Sequence, residues 1–95
     1  PEFEREADYM GLYILARAGY DLQDTPNIWR RLSAMKPDGM YRNYFSYTHP
    51  VFPERVIGMQ KAIAEIERKK QQGLPLLPNG APNEALHAIR TLQFP

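Results

Sequence analysis

Cysteine is absent from this chain, which excludes disulfides and thiolate metal sites and leaves the redox compartment unread. An excess of charge of one sign is missing too. The 12 Lys and Arg against 11 Asp and Glu leave a formal +1, so neither nucleic acid nor an anionic membrane is indicated as the main partner. No apolar run approaches the roughly 20 residues of a membrane span, and no repeat or low-complexity tract occurs. What remains is 95 residues with 43% hydrophobic side chains, the make-up of one small soluble domain. The chain opens without Met and already within a helix-like pattern, so it reads as a piece of a longer protein. Pro1-Glu2-Phe3 is set aside as resembling an expression remnant.

The spacing predicts an all-α chain of three main helices and a short fourth. The first runs from Glu4 to Ala18, with Gly19 as its stop. Met10, Leu12, Tyr13, Ile14, Leu15 and Ala16 surround its axis, which predicts burial on most sides. Gly11 within it costs up to about 1 kcal/mol of helix propensity and suggests a close neighbour. Asp24 or Thr25 can cap a second helix with Pro26 in its first turn. Ile28, Trp29, Leu32 and Met35 then face inward, with Trp29 in the core, and Lys36-Pro37-Asp38-Gly39 forms a turn. Residues 40–52 form a long irregular stretch carrying Tyr41, Tyr44, Phe45 and Tyr47, the kind of loop that walls or covers a cleft. Pro53 opens the third helix. Val56, Met59, Ile63 and Ile66 point inward, Glu65, Glu67, Arg68, Lys69 and Lys70 make the solvated end, and Gly73 stops it. Residues 1–73 thus form one unit. Residues 74–95 are a Pro/Gly connector and a short helix, capped by Asn83, that runs to Leu92 and docks through Leu86, Ile89 and Leu92.

Glu4 and Asp8 stand four residues apart at the head of an otherwise apolar helix, and that spacing puts them on one face. Acids at a helix N-terminus suit the dipole and need no further role. The functional alternative is a metal ligand followed by an acid that orients another ligand. A lone carboxylate holds zinc weakly, and a site needs two or three more ligands. Besides its acids the chain offers only His49 and His87. His87 has no supporting pattern and reads as surface or core edge. Arg30-Arg31 and Arg68-Lys69-Lys70, with the loop tyrosines, could be read as an RNA-binding surface. The near-neutral charge and the amphipathic helices that hold both clusters make them solvated faces instead.

Glu4-Arg5-Glu6-Ala7-Asp8-Tyr9-Met10-Gly11, followed by Ala18-Gly19-Tyr20-Asp21, resembles the third-ligand helix of gluzincin metallopeptidases of the HtpX, BepA and CAAX-prenyl-protease type. Ser46-Tyr47-Thr48-His49-Pro50, with Arg55 six residues after the histidine, resembles their Thr-His-Pro segment. The resemblance runs from Glu4 to Glu67. It implies that Glu4 is a zinc ligand and that Asp8 is the acid steadying a ligating imidazole. His49 would lie near the metal or the reacting carbonyl, and Arg55 would stabilise negative charge or anchor the loop. It also implies the C-terminal half of a zincin-type peptidase domain, a protein or peptide substrate, and a role in cell-envelope or periplasmic quality control. The His-Glu-x-x-His helix of that family, with two zinc ligands and the general base, does not occur in this sequence. The chain alone should therefore be inactive and hold Zn2+ weakly. Its first helix should expose surface that an upstream half, or a second copy in a dimer, would cover. The alternative from another class is a non-catalytic helical interaction module.

Overall fold

The computed structural model describes the backbone of residues 2–24, 27–29, 31 and 53–94, and side chains from residue 5 onward. The described residues are helical and contain no strand. Helix α1 spans Glu2–Arg17, α2 spans Pro53–Gln72 and α3 spans Asn83–Thr91. A helical turn at residues 27–29 lies where the second helix was expected. Most of that helix and the whole of the 40–52 stretch fall outside the described residues. Glu2 and Phe3 belong to α1, which thus begins two residues before the expected Glu4.

Two glycines end helices as their spacing predicts. Gly19 adopts φ +91°, its N–H reaches Ala16 O at 3.1 Å, and the Tyr20 N–H reaches Leu15 O at 3.1 Å. Gly73 adopts φ +66° and repeats the pattern, with its N–H on Lys70 O and the Leu74 N–H on Lys69 O. Both are Schellman closures, in which a left-handed residue lets the chain turn back onto the last free carbonyls. The capping of α3 departs from expectation. Pro82, not Asn83, occupies the N-cap position at φ −63°, ψ 154°, without a side-chain cap, because Asn83 is already inside the first turn.

The core lies between α1 and α2. Leu12, Tyr13, Leu15 and Ala16 of α1 meet Met59, Ala62 and Ile66 of α2, with Leu22 and Ile28 closing one side. Removal of each large apolar side chain from water contributes about 1.5–3 kcal/mol. Tyr9, Trp29, Ile63 and Leu76 pack against this cluster, so Trp29 borders the core rather than filling it. The buried stripe of α2 is Arg55, Met59, Ala62 and Ile66, while the expected Val56 and Ile63 are only half-buried. The stripe is turned because a buried partner admits Arg55 to it. Ile89 docks α3 at 3% exposure, whereas Leu92, expected to dock, is 44% exposed. The connector is fastened down: Arg17 Nη1 donates to Leu76 O at 3.3 Å and Lys69 Nζ to Leu77 O at 2.7 Å. Among the described residues no helix is long and apolar enough to cross a membrane.

Candidate functional site

Asp8 and Arg55 are the two buried charged residues among those described, at 4% and 6% exposure. Arg55 Nε donates to Asp8 Oδ2 at 2.6 Å and Nη2 to Oδ1 at 2.8 Å. Two parallel bonds between a guanidinium and a carboxylate are the geometry in which such a pair is strongest and most directional. Arg55 sits in the first turn of α2, where the helix dipole disfavours a cation. The opposed carboxylate offsets that cost. The guanidinium also lies over the Trp29 ring, 4.5 Å from its centroid, so one cation joins α1, α2 and the turn at 27–29. Beside the pair, Arg5, Glu6, Tyr9, Leu12, Gly58, Met59 and Ala62 complete the lining of a groove of about 310 Å³.

Of the residues singled out in the sequence, the structure brings Asp8 and Arg55 together. Glu4 is in α1, one turn before Asp8, and its side chain lies outside the described residues, as does all of His49. His87 is exposed, as expected. Among the described residues no three His, Asp or Glu side chains converge to hold a metal. The described donor set is a single buried carboxylate, Asp8, one turn after Glu4 in α1, and a zinc site would need its other ligands from elsewhere.

A second polar cluster escaped the sequence reading. Glu65, expected in the solvated end of α2, accepts hydrogen bonds on Oε1 from both the Tyr9 hydroxyl, at 2.5 Å, and the Tyr13 hydroxyl. Lys69 Nζ stands 3.9 Å from the same oxygen and 4.8 Å from the centre of the Tyr13 ring. The Asn79 N–H donates to Tyr9 Oη at 2.9 Å, and Lys69 Nζ donates to Asn79 Oδ1 at 2.8 Å. Burial pushes the Glu65 carboxyl up, but the two tyrosine hydroxyls and the Lys69 charge outweigh it and hold the group below its ordinary value. Burial, then the Glu65 carboxylate, push both phenols above theirs. The signal was present as two pairs at helical spacing, Tyr9/Tyr13 and Glu65/Lys69, though nothing local says that they face each other.

An arginine from the head of α2 thus clamps the buried acid of α1. The chain belongs to Peptidase family M48, whose description matches residues 2–63. The curated relatives it matches include the mitochondrial metalloendopeptidase OMA1 of Saccharomyces cerevisiae, 34% identical over 64 residues, 63% of this chain and 19% of that protein. The OMA1 proteins of Schizosaccharomyces pombe and Arabidopsis thaliana are 27% identical over 70 residues and 43% over 49 residues. These alignments take in 74% and 52% of this chain and 21% and 10% of the two relatives. The chain thus spans about a fifth or less of the length of these relatives. No solved structure matches it. The relatives correct one expectation. The cell-envelope or periplasmic location rested on likeness to envelope members, whereas all three relatives carry a mitochondrial name.

Proposed function

We propose that this chain supplies one side of the active site of a zinc metalloendopeptidase, completed by a His-Glu-x-x-His segment from elsewhere in a longer polypeptide. When bound, zinc would polarise the scissile carbonyl and lower the pKa of its water to about neutral. Glu4 is the ligand contributed from here. Asp8 steadies a ligating imidazole through a remaining lone pair of one oxygen, while Arg55 holds the carboxylate in place through both oxygens. Arg55 acts as an anchor: it is buried against Asp8 and Trp29 and fixes the head of α2, which follows directly on the segment bearing His49. His49 lies near the metal or the reacting carbonyl. The substrate is a protein or peptide.

The observation that carries this reading is the buried, doubly bonded Asp8–Arg55 pair inside the family-matched region. An acid serving only the α1 dipole would remain in solvent. The test is metal analysis of the longer polypeptide, wild type and Glu4→Gln. Stoichiometric zinc in the wild type and its loss in the variant are expected. A wild type that stays zinc-free after reconstitution would overturn the reading. The interaction-module alternative draws on exposed Leu92 and Phe94, which with Ala16, Arg17 and Leu76 line an open crevice of about 360 Å³. It would be favoured by a polypeptide whose upstream part lacks His-Glu-x-x-His.

A further inference from the structure

Two separate grips hold α1 against α2. At Asp8 the grip is the Arg55 guanidinium. At Tyr9 and Tyr13 it is a single oxygen of Glu65. Successive residues of an α-helix point about 100° apart, so Asp8 and Tyr9 leave the axis in different directions. A helix gripped along one direction can still roll about that line; one gripped along two cannot. The rings of Tyr9 and Tyr13 also meet edge to face, with centroids 5.3 Å apart. Lys69 and the Asn79 N–H close the cluster from the connector side.

We propose that Glu65 is a positioning residue: the Tyr9–Tyr13–Glu65–Lys69 clasp fixes the roll of α1 and so aims Asp8 and Glu4 at the metal. This rests on the zinc-site reading above. A side chain reaching about 6 Å from the helix axis moves about 1 Å for every 10° of roll. Displacement of that size at a reacting centre lowers rates by up to about 100-fold. A merely stabilising contact would not need this chemistry. A carboxylate placed among two phenols and an ammonium has a single low-energy arrangement, whereas apolar packing tolerates sliding. Glu65 touches neither metal nor substrate in this scheme and acts only through α1.

The test compares Tyr9→Phe/Tyr13→Phe, Glu65→Gln and the core variant Ile66→Val in the longer polypeptide. Zinc affinity is read by competition with a chromophoric chelator, kcat and KM on a peptide substrate, and amide exchange over residues 5–10. Removal of both hydroxyls should weaken zinc about tenfold, lower kcat with KM within about twofold, and speed exchange about tenfold. Glu65→Gln keeps an acceptor oxygen and should recover most of each effect. Ile66→Val loses core contact without touching the clasp, and should leave zinc affinity and kcat unchanged. The inference is overturned if the double phenylalanine variant behaves as Ile66→Val does. If that variant does not fold, Glu65→Ala decides, because it removes the acceptor of both hydroxyls: weakened zinc and faster exchange are expected, and wild-type zinc affinity and exchange in it overturn the proposal. Should the wild type bind no zinc, the function reading falls, and unchanged exchange in the variants would then refute the clasp separately.

Discussion

Replacement of Asp8 by Asn tests the pair at the centre of the site. Asn keeps the shape and one acceptor oxygen but removes the Asp8 charge from beside the Arg55 cation, which is 6% exposed. Loss of one partner from a buried ion pair costs about 3–5 kcal/mol, because the survivor stays desolvated. A domain of this size has roughly 5–15 kcal/mol in all. Urea unfolding of small proteins falls by about 1–3 kcal/mol per molar, so the midpoint should drop by more than about 1 M, or the variant should be unfolded at the outset. The single tryptophan makes the measurement local, since Arg55 lies over the Trp29 ring at 4.5 Å and its fluorescence reports the same junction. A loss under about 1 kcal/mol, the ceiling for exposed pairs, would refute the reasoning. It would mean that solvent reaches the pair in solution and that Asp8 is an ordinary surface acid.

Other outcomes follow from the second cluster and the helix stops. Tyr9 and Tyr13 have raised phenol pKa values. Their stabilisation is full below the ordinary value near 10 and is lost as pH climbs above it, since the unfolded chain then releases protons that the folded one retains. Phenolate absorbance from these two should thus appear together with unfolding in an alkaline titration, and in Tyr13→Phe the alkaline midpoint should rise. Glu65 has a lowered pKa, so its contribution is present above the ordinary carboxylate value near 4.3 and disappears as pH falls through the depressed one. Denaturation midpoints measured from neutral to acid pH should fall less steeply in Glu65→Gln. Gly73 stands at φ +66° with open space where a side chain would go, so Gly73→Ala meets backbone strain alone, about 1–2 kcal/mol, visible as a lower melting temperature.

The helices were legible where a local rule governs them. The apolar spacing of α2 and the glycines at 19 and 73 are short-range signals, and α2 and both stops lie where they were expected. What escaped is what depends on a distant partner. A period-based reading turns charged residues outward, yet Arg55 is inside because Asp8, 47 residues away, meets it. Glu65 is drawn in by tyrosines 52 and 56 residues away. The cap of α3 was misplaced by one residue because Asn83 is a strong capping type and the chain used the backbone of Pro82 instead. Asp8 stood out by its spacing from Glu4. Nothing in that spacing said that Arg55 would take both of its oxygens.

That pairing separates stability from function. A buried ion pair is a poor stabilising device: apolar replacements of similar volume are often neutral or better by about 1–4 kcal/mol. The Leu12, Met59 and Ala62 side chains already line the groove beside it, so leucine at 8 and methionine at 55 would find apolar neighbours. Asp8→Leu/Arg55→Met should therefore fold at least as well as the wild type, although each single change is costly. If Asp8 exists to steady a zinc-binding imidazole, the stable double variant should nevertheless lose about 10–100-fold in zinc affinity, as loss of an outer-shell partner does. A double variant that folds well and binds zinc as the wild type does would show that the pair is only a fold-specifying contact, and would remove Asp8 from the site while leaving the family assignment untouched.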